Sequence, residues 1–373
     1  MGLTVTQDSY CLIRLAVTQS GVSFFRRISG VVRSMISVDQ IRPRQSVASE
    51  MSVVHEYAWP KPAQRLSSTF FKLVYRWSHS GAFRHNERLW HGVSIKRDSR
   101  GFLNGMSIAG HDSLIENQAN LVASQKGECH LIATGPSVND IDYGALDLHN
   151  VMGVNGAIAL QDKHPVRFEY YCIVDAGFVR KRPDLVARVV QQKLTLFATP
   201  LVLWYIAQYF PLSQFRCRVF LIEDIQYPAC QRALLKHELL STHPSADLAL
   251  FDEEPALGFS FNIRRGIFDG RTVAYTGLQV LASLGFNTIF MHGLDLLNAA
   301  QTPRFYETKE NMQPSALDGD FNSFIEPSFR HAAPLLSRRG IRVVNLSAQS
   351  ALGSDIIERD DWHALAHASV EQI

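Results

Sequence analysis

Cys129-His-Leu-Ile-Ala-Thr-Gly-Pro-Ser137 is the stretch from which the fold is read. Its apolar run is short enough for a buried strand and stops at Gly135-Pro136. Ser137 then stands where its hydroxyl predicts a cap on a following helix. Strand, tight turn and helix start together open a ligand-binding α/β domain.

Working outward, short apolar runs recur at 129–134, 151–154, 170–174, 194–198, 218–222, 288–292 and 341–345. Helical patterns fill the gaps at 183–192, 200–209, 229–240, 272–284 and 327–339. Alternation of this kind predicts a Rossmann-like, doubly wound, mostly parallel sheet with helices on both faces. Helix 272–284 is the clearest, because Gly285 follows it as a C-cap and Thr288-Ile-Phe-Met-His292 begins two residues later. Two irregular stretches, 241–258 and 298–326, are long for connections. The first is expected to fold over a ligand, and a stretch of the second's length is expected to be either functional or disordered.

The chain of 373 residues is 46% hydrophobic and carries a net charge of +2, an ordinary globular composition. The charge is uneven: residues 1–100 hold 15 Lys or Arg against 6 Asp or Glu, which leaves the remainder acidic. Residues 1–50 read as a basic extension, either poorly ordered or an amphipathic surface helix through Phe25, Ile28, Val32 and Met35. Residues 51–127 read as a basic and aromatic region, 128–350 as the Rossmann-like α/β domain, and 351–373 as a tail. No module signature for nucleic acid accompanies the basic residues, so an anionic membrane or a partner is expected there, and no nucleic acid. Five scattered cysteines without a Cys-x-x-Cys pair predict neither disulfides nor a zinc site, and a reduced, cytoplasmic setting. The uncharged run 194–215 is interrupted by Pro200, Gln208 and Pro211, which predicts a buried strand and helix in place of a bilayer span.

In doubly wound sheets ligands bind beyond the carboxyl ends of the strands. That rule collects Thr134, Gly135, Pro136 and Ser137, then Asn155, Asp175, and Gly293, Leu294 and Asp295. A Gly-Pro turn admits close backbone approach, and a helix beginning near Ser137 would aim N–H groups at a phosphate. Gly-x-Gly-x-x-Gly and Gly-x-x-x-x-Gly-Lys-Ser/Thr are both missing from the sequence.

Thr134-Gly-Pro-Ser-Val-Asn-Asp-Ile-Asp142, Gly153-Val-Asn155, Gly270-Arg-Thr-Val-Ala274, Leu284-Gly-Phe-Asn-Thr-Ile289 and Gly293-Leu-Asp295 occur in that order. In order and spacing they resemble the bacterial family 42 sialyltransferases, with the related Kdo transferases of the lipopolysaccharide core and the flagellin-modifying motility-associated proteins. The resemblance covers roughly 128–350. It implies a glycosyltransferase that moves an acidic sugar, Kdo or sialic-acid-like, from a CMP-activated donor to a lipopolysaccharide-core or other glycan acceptor, with inversion. It implies that Gly135 to Ser137 and Asn155 contact the nucleotide and its phosphate, that Thr272, Val273 and Ala274 hold the donor, and that Asp295 falls on the family's acid near the nucleotide. Asp175 takes the place of a family asparagine. Tyr306 lies in the lid where the sialyltransferases place phosphate-binding tyrosines, with Arg304 as the second donor.

The family's lid histidine has no counterpart at its place, which leaves Glu326 and His331 as the candidate bases. The bland reading of Glu326 is a first-turn carboxylate beside Pro327, and of His331 a helix-surface histidine. Asp318-Gly-Asp320 matches a metal-holding Asp-x-Asp but equally the chemistry of a turn. No cofactor is required on this reading, and a divalent metal is not expected. The basic N-terminal region suits a lipid-linked acceptor at the inner face of a membrane. Two other readings stay open: a pyrophosphokinase-like phosphoryl-transfer enzyme, and a non-catalytic nucleotide-binding protein of a polysaccharide system.

Overall fold

The computed structural model describes residues 62–89, 92–108, 111–112, 121–242, 246–296 and 298–370, all within one compact unit spanning 57–373. The amphipathic pattern expected over 1–50, and the aromatics Trp59 and Trp90, lie outside the described residues.

Helix α1 (Pro62–Ser78) leads into a small antiparallel sheet of β1 (Val93–Arg97), β2 (Leu103–Ile108) and β3 (His111–Asp112). Arg97 ties this sheet to the main body through Glu223 at 2.7 Å, and Asp98 does so through Arg264 at 3.0 Å.

The main body is an eight-stranded sheet in which every described pairing is parallel. Its strands are β4 (Glu128–Ile132), β5 (Val151–Val154), β6 (Tyr170–Ile173), β7 (Thr195–Ala198), β8 (Arg218–Leu221), β11 (Thr288–His292), β12 (Arg342–Asn345) and β13 (Glu358–Arg359). A short hairpin of β9 (Leu248–Leu250) and β10 (Gly258–Ser260) lies apart. The sheet order is β13-β12-β11-β4-β5-β6-β7-β8. Strands β5, β6 and β7 are buried along their whole length, as apolar runs covered on both faces should be. Within β6, Tyr171 and Ile173 enter one core while Tyr170 and Cys172 enter the other.

Helices α2 (Ala176–Lys181), α3 (Pro183–Val190) and α4 (Pro200–Tyr209) follow β6 and β7. The uncharged run 194–215 is thus β7 and α4, and no described helix is long and apolar enough to cross a membrane. The helix expected over 229–240 is confined to α5 (Lys236–Thr242), because Glu223 and Asn86 take the amides of Ala229 and Cys230 into a turn. Helix α6 (Val273–Leu284) carries eleven buried residues, is capped by Thr272, and ends on Gly285 at φ 109°. A π-helical turn, Phe321–Ile325, enters α7 (Glu326–Arg338).

The sheet does not stop at residue 350. Within the expected tail, Glu358–Arg359 adds the edge strand β13, and α8 (His363–Val370) follows.

Candidate functional site

Strand order reverses at β4, which has β5 on one side and β11 on the other. The loops leaving β4 and β11 therefore face each other at the carboxyl edge of the sheet, where a doubly wound fold leaves a crevice. They are stitched together by Gly135, whose N–H donates to the Gly293 carbonyl at 3.0 Å. A Cβ on Gly135 would lie 2.5 Å from that carbonyl and strike the Asp295 carboxylate, and Gly293 itself adopts φ 67°. Both positions need glycine for close approach and for backbone conformation.

Beside this stitch opens a cleft of about 490 Å³, well within the size of small-molecule sites. Thr134, Gly135, Pro136, Asn155, Asp175, Thr272, Val273, Ala274, Gly293, Asp295 and Arg304 all line it. Residues from six separate segments thus meet in one cavity, four of the segments gathered by the rule about strand ends and two, at 272–274 and 304, by the resemblance.

Ser137 is placed differently from its expected role. The residues after the turn form a five-residue 3₁₀ helix, Pro136–Asp140, with Gly135 at its N-cap and no side-chain cap. Ser137 instead donates its backbone N–H to Asp295 Oδ2 at 2.9 Å and its hydroxyl to Asp295 Oδ1, with Ser347 Oγ at 3.1 Å. A carboxylate of the chain itself occupies the anion-holding position of this loop. Ser137 lines a second hollow beyond the stitch and not the cleft.

A helix N-terminus does point into the cleft, and it is that of α6. Thr272, Val273 and Ala274 stand on the wall, and the Thr272 hydroxyl accepts from the Ala274 N–H at 3.4 Å. The remaining first-turn N–H groups and the helix dipole favour an anion there. Next to it Arg271, at φ 59°, stacks over Phe324 at 4.7 Å and lines the cleft with Asp269. Across the cleft Arg304 is aimed by Glu307, whose side chain is 1% exposed and takes the guanidinium at 3.1 Å. Asn155, at φ 45°, has a buried Oδ1 with no hydrogen-bond partner. Such an orphan costs about 1–3 kcal/mol, a penalty that a ligand donor in the cleft would relieve. Asp175 caps α2 by accepting from the Gly177 N–H at 2.6 Å.

The lid, 298–326, is tied to the loop after β4 at one point and is closed on itself at two. The Phe305 N–H donates to the Thr134 carbonyl at 3.2 Å, and the Asp318 carboxylate accepts from the Ala299 and Ala300 amides, each at 2.9 Å. Tyr306 lies directly on Gly156, where a side chain would collide with the ring, and Arg182 stacks over it at 5.3 Å. Burial pushes the Tyr306 hydroxyl well up, and the ring packs into the core beside the cleft without lining it. Asp318 is thus a lid fastener. Asp320, two residues on, lines the cleft, and among the described residues no hydrogen bond to its carboxylate is found.

Neither expected base reaches the cleft. Glu326 is engaged by Arg330 at 2.6 Å one turn along α7, and Arg330 also holds Asp355. His331 pairs with Glu253 at 2.9 Å and packs on Phe251. The stretch 241–258, expected to cover a ligand, does not line the cleft either. It contributes β9 and part of the hairpin, and Phe251 and Leu257 are drawn into the core under α7. Sequence reading gave no role to Arg271 or Asp269, and weighed Asp320 only as part of a metal-holding pattern or a turn. Arg271 stands inside the Gly270–Ala274 motif, and its charge in a turn before a buried helix was the available signal.

Three further titrating groups lie outside the cleft lining. His130 and His292, from neighbouring β4 and β11, are 2% and 0% exposed and 3.0 Å apart, with the Tyr143 hydroxyl 3.4 Å from His292. Burial lowers His130 to about 4 and holds His292 well below its ordinary value. Asp224, half-buried near Asp269, is pushed up to about 7 by burial and by that second carboxylate.

A family model described as 3-deoxy-D-manno-octulosonic acid transferase WaaZ matches residues 114–359. A Salmonella typhimurium protein described as "Probable 3-deoxy-manno-octulosonic acid transferase" is 26% identical over 245 residues, covering 64% of this chain and 88% of the relative. Its Escherichia coli K12 counterpart is 23% identical over 257 residues, with 66% and 84% covered. Among solved structures, the chain is similar to the MAf glycosyltransferase of Magnetospirillum magneticum AMB-1, at 13% identity and TM-score 0.39. That match covers 84% of this chain but spans only 46% of the other. It is similar also to the Campylobacter jejuni sialyltransferase CstII, solved with the substrate analogue cytidine-5'-monophosphate, at 14% identity, 62% and 83% coverage and TM-score 0.34.

Proposed function

We propose that this chain, which belongs to the WaaZ family of 3-deoxy-D-manno-octulosonic acid transferases, moves an acidic sugar of the Kdo class from a CMP ester to a hydroxyl of a lipopolysaccharide-core or related glycan, with inversion. One observation carries the reading. A single cleft at the strand-order switch combines the N-terminus of α6, two arginines and an orphaned Asn155 oxygen. Such a set suits a ligand with a negatively charged ester and hydrogen-bond donors on a base or sugar.

In this scheme the phosphate lies between the start of α6, Arg271 and Arg304. The sugar faces the lid, and the nucleoside reaches toward Asn155. Asp320 takes the proton of the acceptor hydroxyl, since the other cleft carboxylates already accept backbone N–H groups at Ser137, Gly177 and Arg271. The acceptor oxygen then bonds to the anomeric carbon as its bond to the phosphate oxygen breaks, and CMP leaves with that electron pair. Charge growing on the phosphate meets donors already in position, which lowers the barrier without reorganisation. One displacement at one carbon inverts its configuration.

The test has two arms. Thermal stabilisation is measured with CMP, UDP, GDP and ATP, where selective response to CMP is expected. Release of CMP from CMP-Kdo is then followed with and without core oligosaccharide, and the product anomer is read by NMR. A folded sample that releases CMP from no CMP-sugar, or a product that keeps the donor's configuration, would overturn the proposal.

A further inference from the structure

Phe102, where the β1–β2 turn leads into β2, is surrounded by cations. The guanidinium carbons of Arg100, Arg265 and Arg264 stand over its ring, 5.0, 5.4 and 5.7 Å from the centroid. A ring has two faces, so at least two of the three positive groups share one. The ring quadrupole attracts each of them, but like charges gathered on one ring repel one another.

Both segments that carry the arginines are fixed turns. In the hairpin the Asp98 carboxylate accepts from the Arg100 and Phe102 amides at 2.9 and 3.0 Å, and the Asp98 carbonyl accepts from the Gly101 N–H at 2.9 Å. Opposite, Arg264 and Arg265 lie in the 3₁₀ turn Ile263–Arg265, which the Asn262 side chain caps by accepting from the Arg264 N–H at 3.2 Å. The cations are therefore held in place before any ligand arrives.

Asp98 is the carboxylate that meets them, taking Arg264 at 3.0 Å and Arg100 at 3.7 Å. One acid against three guanidiniums leaves two positive charges over. Among the described residues the Arg265 side chain has neither a hydrogen bond nor an ion pair, and its Nε is buried without a partner. Arg264, whose side chain is 10% exposed, also has a buried Nε without a partner. Withdrawing guanidinium donors from water with nothing to accept from them is costly. Arg100, 62% exposed, and half-buried Arg265 keep the cluster in contact with solvent. An anion held by their terminal nitrogens would offset the repulsion, and the planar guanidinium fork matches phosphate oxygens in pairs. Two uncompensated charges suit a phosphate, which carries close to two negative charges at pH 7.

We propose that Arg100, Arg264 and Arg265 around Phe102 form a second anion site, which takes a phosphate group. None of the four residues lines the donor cleft, so the site stands whether or not the sugar-transfer reading does. Two sources share this chemistry, inorganic phosphate and a phosphate ester on a sugar.

The experiment is titration calorimetry of the full-length chain with inorganic phosphate and with glucose 6-phosphate at fixed ionic strength. Arg271→Gln weakens the cleft, so phosphate binding that remains in that variant reports the second site. Binding is expected to persist in Arg271→Gln and to fall about tenfold or more when Arg100→Gln and Arg265→Gln are added, as loss of charge-assisted contacts implies. Arg265 makes no side-chain hydrogen bond and Arg100 is mostly exposed, so the added changes should leave circular dichroism and the melting temperature in phosphate-free buffer as they were. Arg100→Gln alone, on the same background, is the milder variant and should weaken binding about threefold or more. Tighter binding of inorganic phosphate assigns the site to the free anion, and tighter binding of glucose 6-phosphate assigns it to an ester. The proposal is overturned if neither probe binds Arg271→Gln, or if binding there is unchanged once the Arg100 and Arg265 charges are removed.

Discussion

Ser137 and Asp295 are joined twice, through the backbone N–H and through the hydroxyl of the serine, across the seam between the loops that leave β4 and β11. The contact spans 158 positions in the sequence. It makes the first loop a closed structural element, whereas the first turn of α6 opens on the cleft from the opposite wall.

From that contact a stability prediction follows. Hydrogen bonds to a charged acceptor contribute about 1.5–3 kcal/mol, so Asp295→Asn should destabilise by about 2 kcal/mol and Ser137→Ala by about 1 kcal/mol. The two groups share their partner, so the double variant should cost clearly less than both single changes together. Urea unfolding of the four proteins measures this, and strict additivity would contradict the clasp.

Cleft geometry separates the carboxylates by role. Asp320→Asn should lower the rate of CMP release from donor and acceptor by a factor of about 10²–10⁴, the usual contribution of a general base, with little change in donor affinity. Glu326→Gln and His331→Asn should leave the rate within about threefold, because both side chains are engaged with Arg330 and Glu253 away from the cleft. Full activity of Asp320→Asn would remove it as the base.

Arg271 and Arg304 should act mainly on binding. Replacing either by Gln should weaken CMP binding by about 10- to 100-fold, as loss of a charge-assisted contact worth 1.5–3 kcal/mol implies. Glu307→Gln should reproduce a smaller version of the Arg304 effect, since Glu307 touches the arginine without lining the cleft. Titration calorimetry with CMP reads all three.

How much of this was legible in the residues depends on the range of the interactions involved. Strands β5 and β11 and helix α4 stand at their expected bounds, because apolar runs, prolines and caps act locally. One topological rule about strand ends gathered Thr134, Asn155 and Asp175, which line the same cleft. Ser137 does not cap a helix as expected, because its partner lies 158 residues away, and a serine after Gly-Pro carries the same local signal whether it caps a helix or grips a carboxylate. Glu326 and His331 stand away from the cleft for a related reason. Their pairing with Arg330 and Glu253 depends on which face of α7 meets the β9–β10 hairpin.

Asp224 predicts a stability gain with a defined pH sense. Its folded value of about 7 lies above that of an unfolded aspartate, so the folded state binds the extra proton between about pH 4 and 7 and loses stability as pH rises through that window. The gap sets a ceiling of about 4 kcal/mol, and solvent screening of a half-buried group brings the expected effect down to about 1–2 kcal/mol. Asp224→Asn keeps an oxygen for the Gln226 and Tyr227 amides. It should raise the melting temperature at pH 8 and change it little at pH 4. An equal shift at both would show that ionisation is not the cause.

The buried pair His130 and His292 gives the opposite slope. Both rings are held neutral in the core, one donating to the other, with Tyr143 beside His292. Their folded values lie below the ordinary histidine value near 6.5, so the unfolded chain takes up protons first as pH falls. Stability is therefore complete above about pH 6.5 and declines from there toward about pH 4, where His130 itself titrates in the folded state. For His130 alone the full fall is at most about 3 kcal/mol. Replacing it by Gln, which retains a polar atom for His292, should flatten the slope between pH 6.5 and 4 while costing some stability at pH 8. Urea unfolding across that range, with proton uptake followed in weak buffer, measures both effects. A slope unchanged in His130→Gln would place the acid sensitivity elsewhere in the chain.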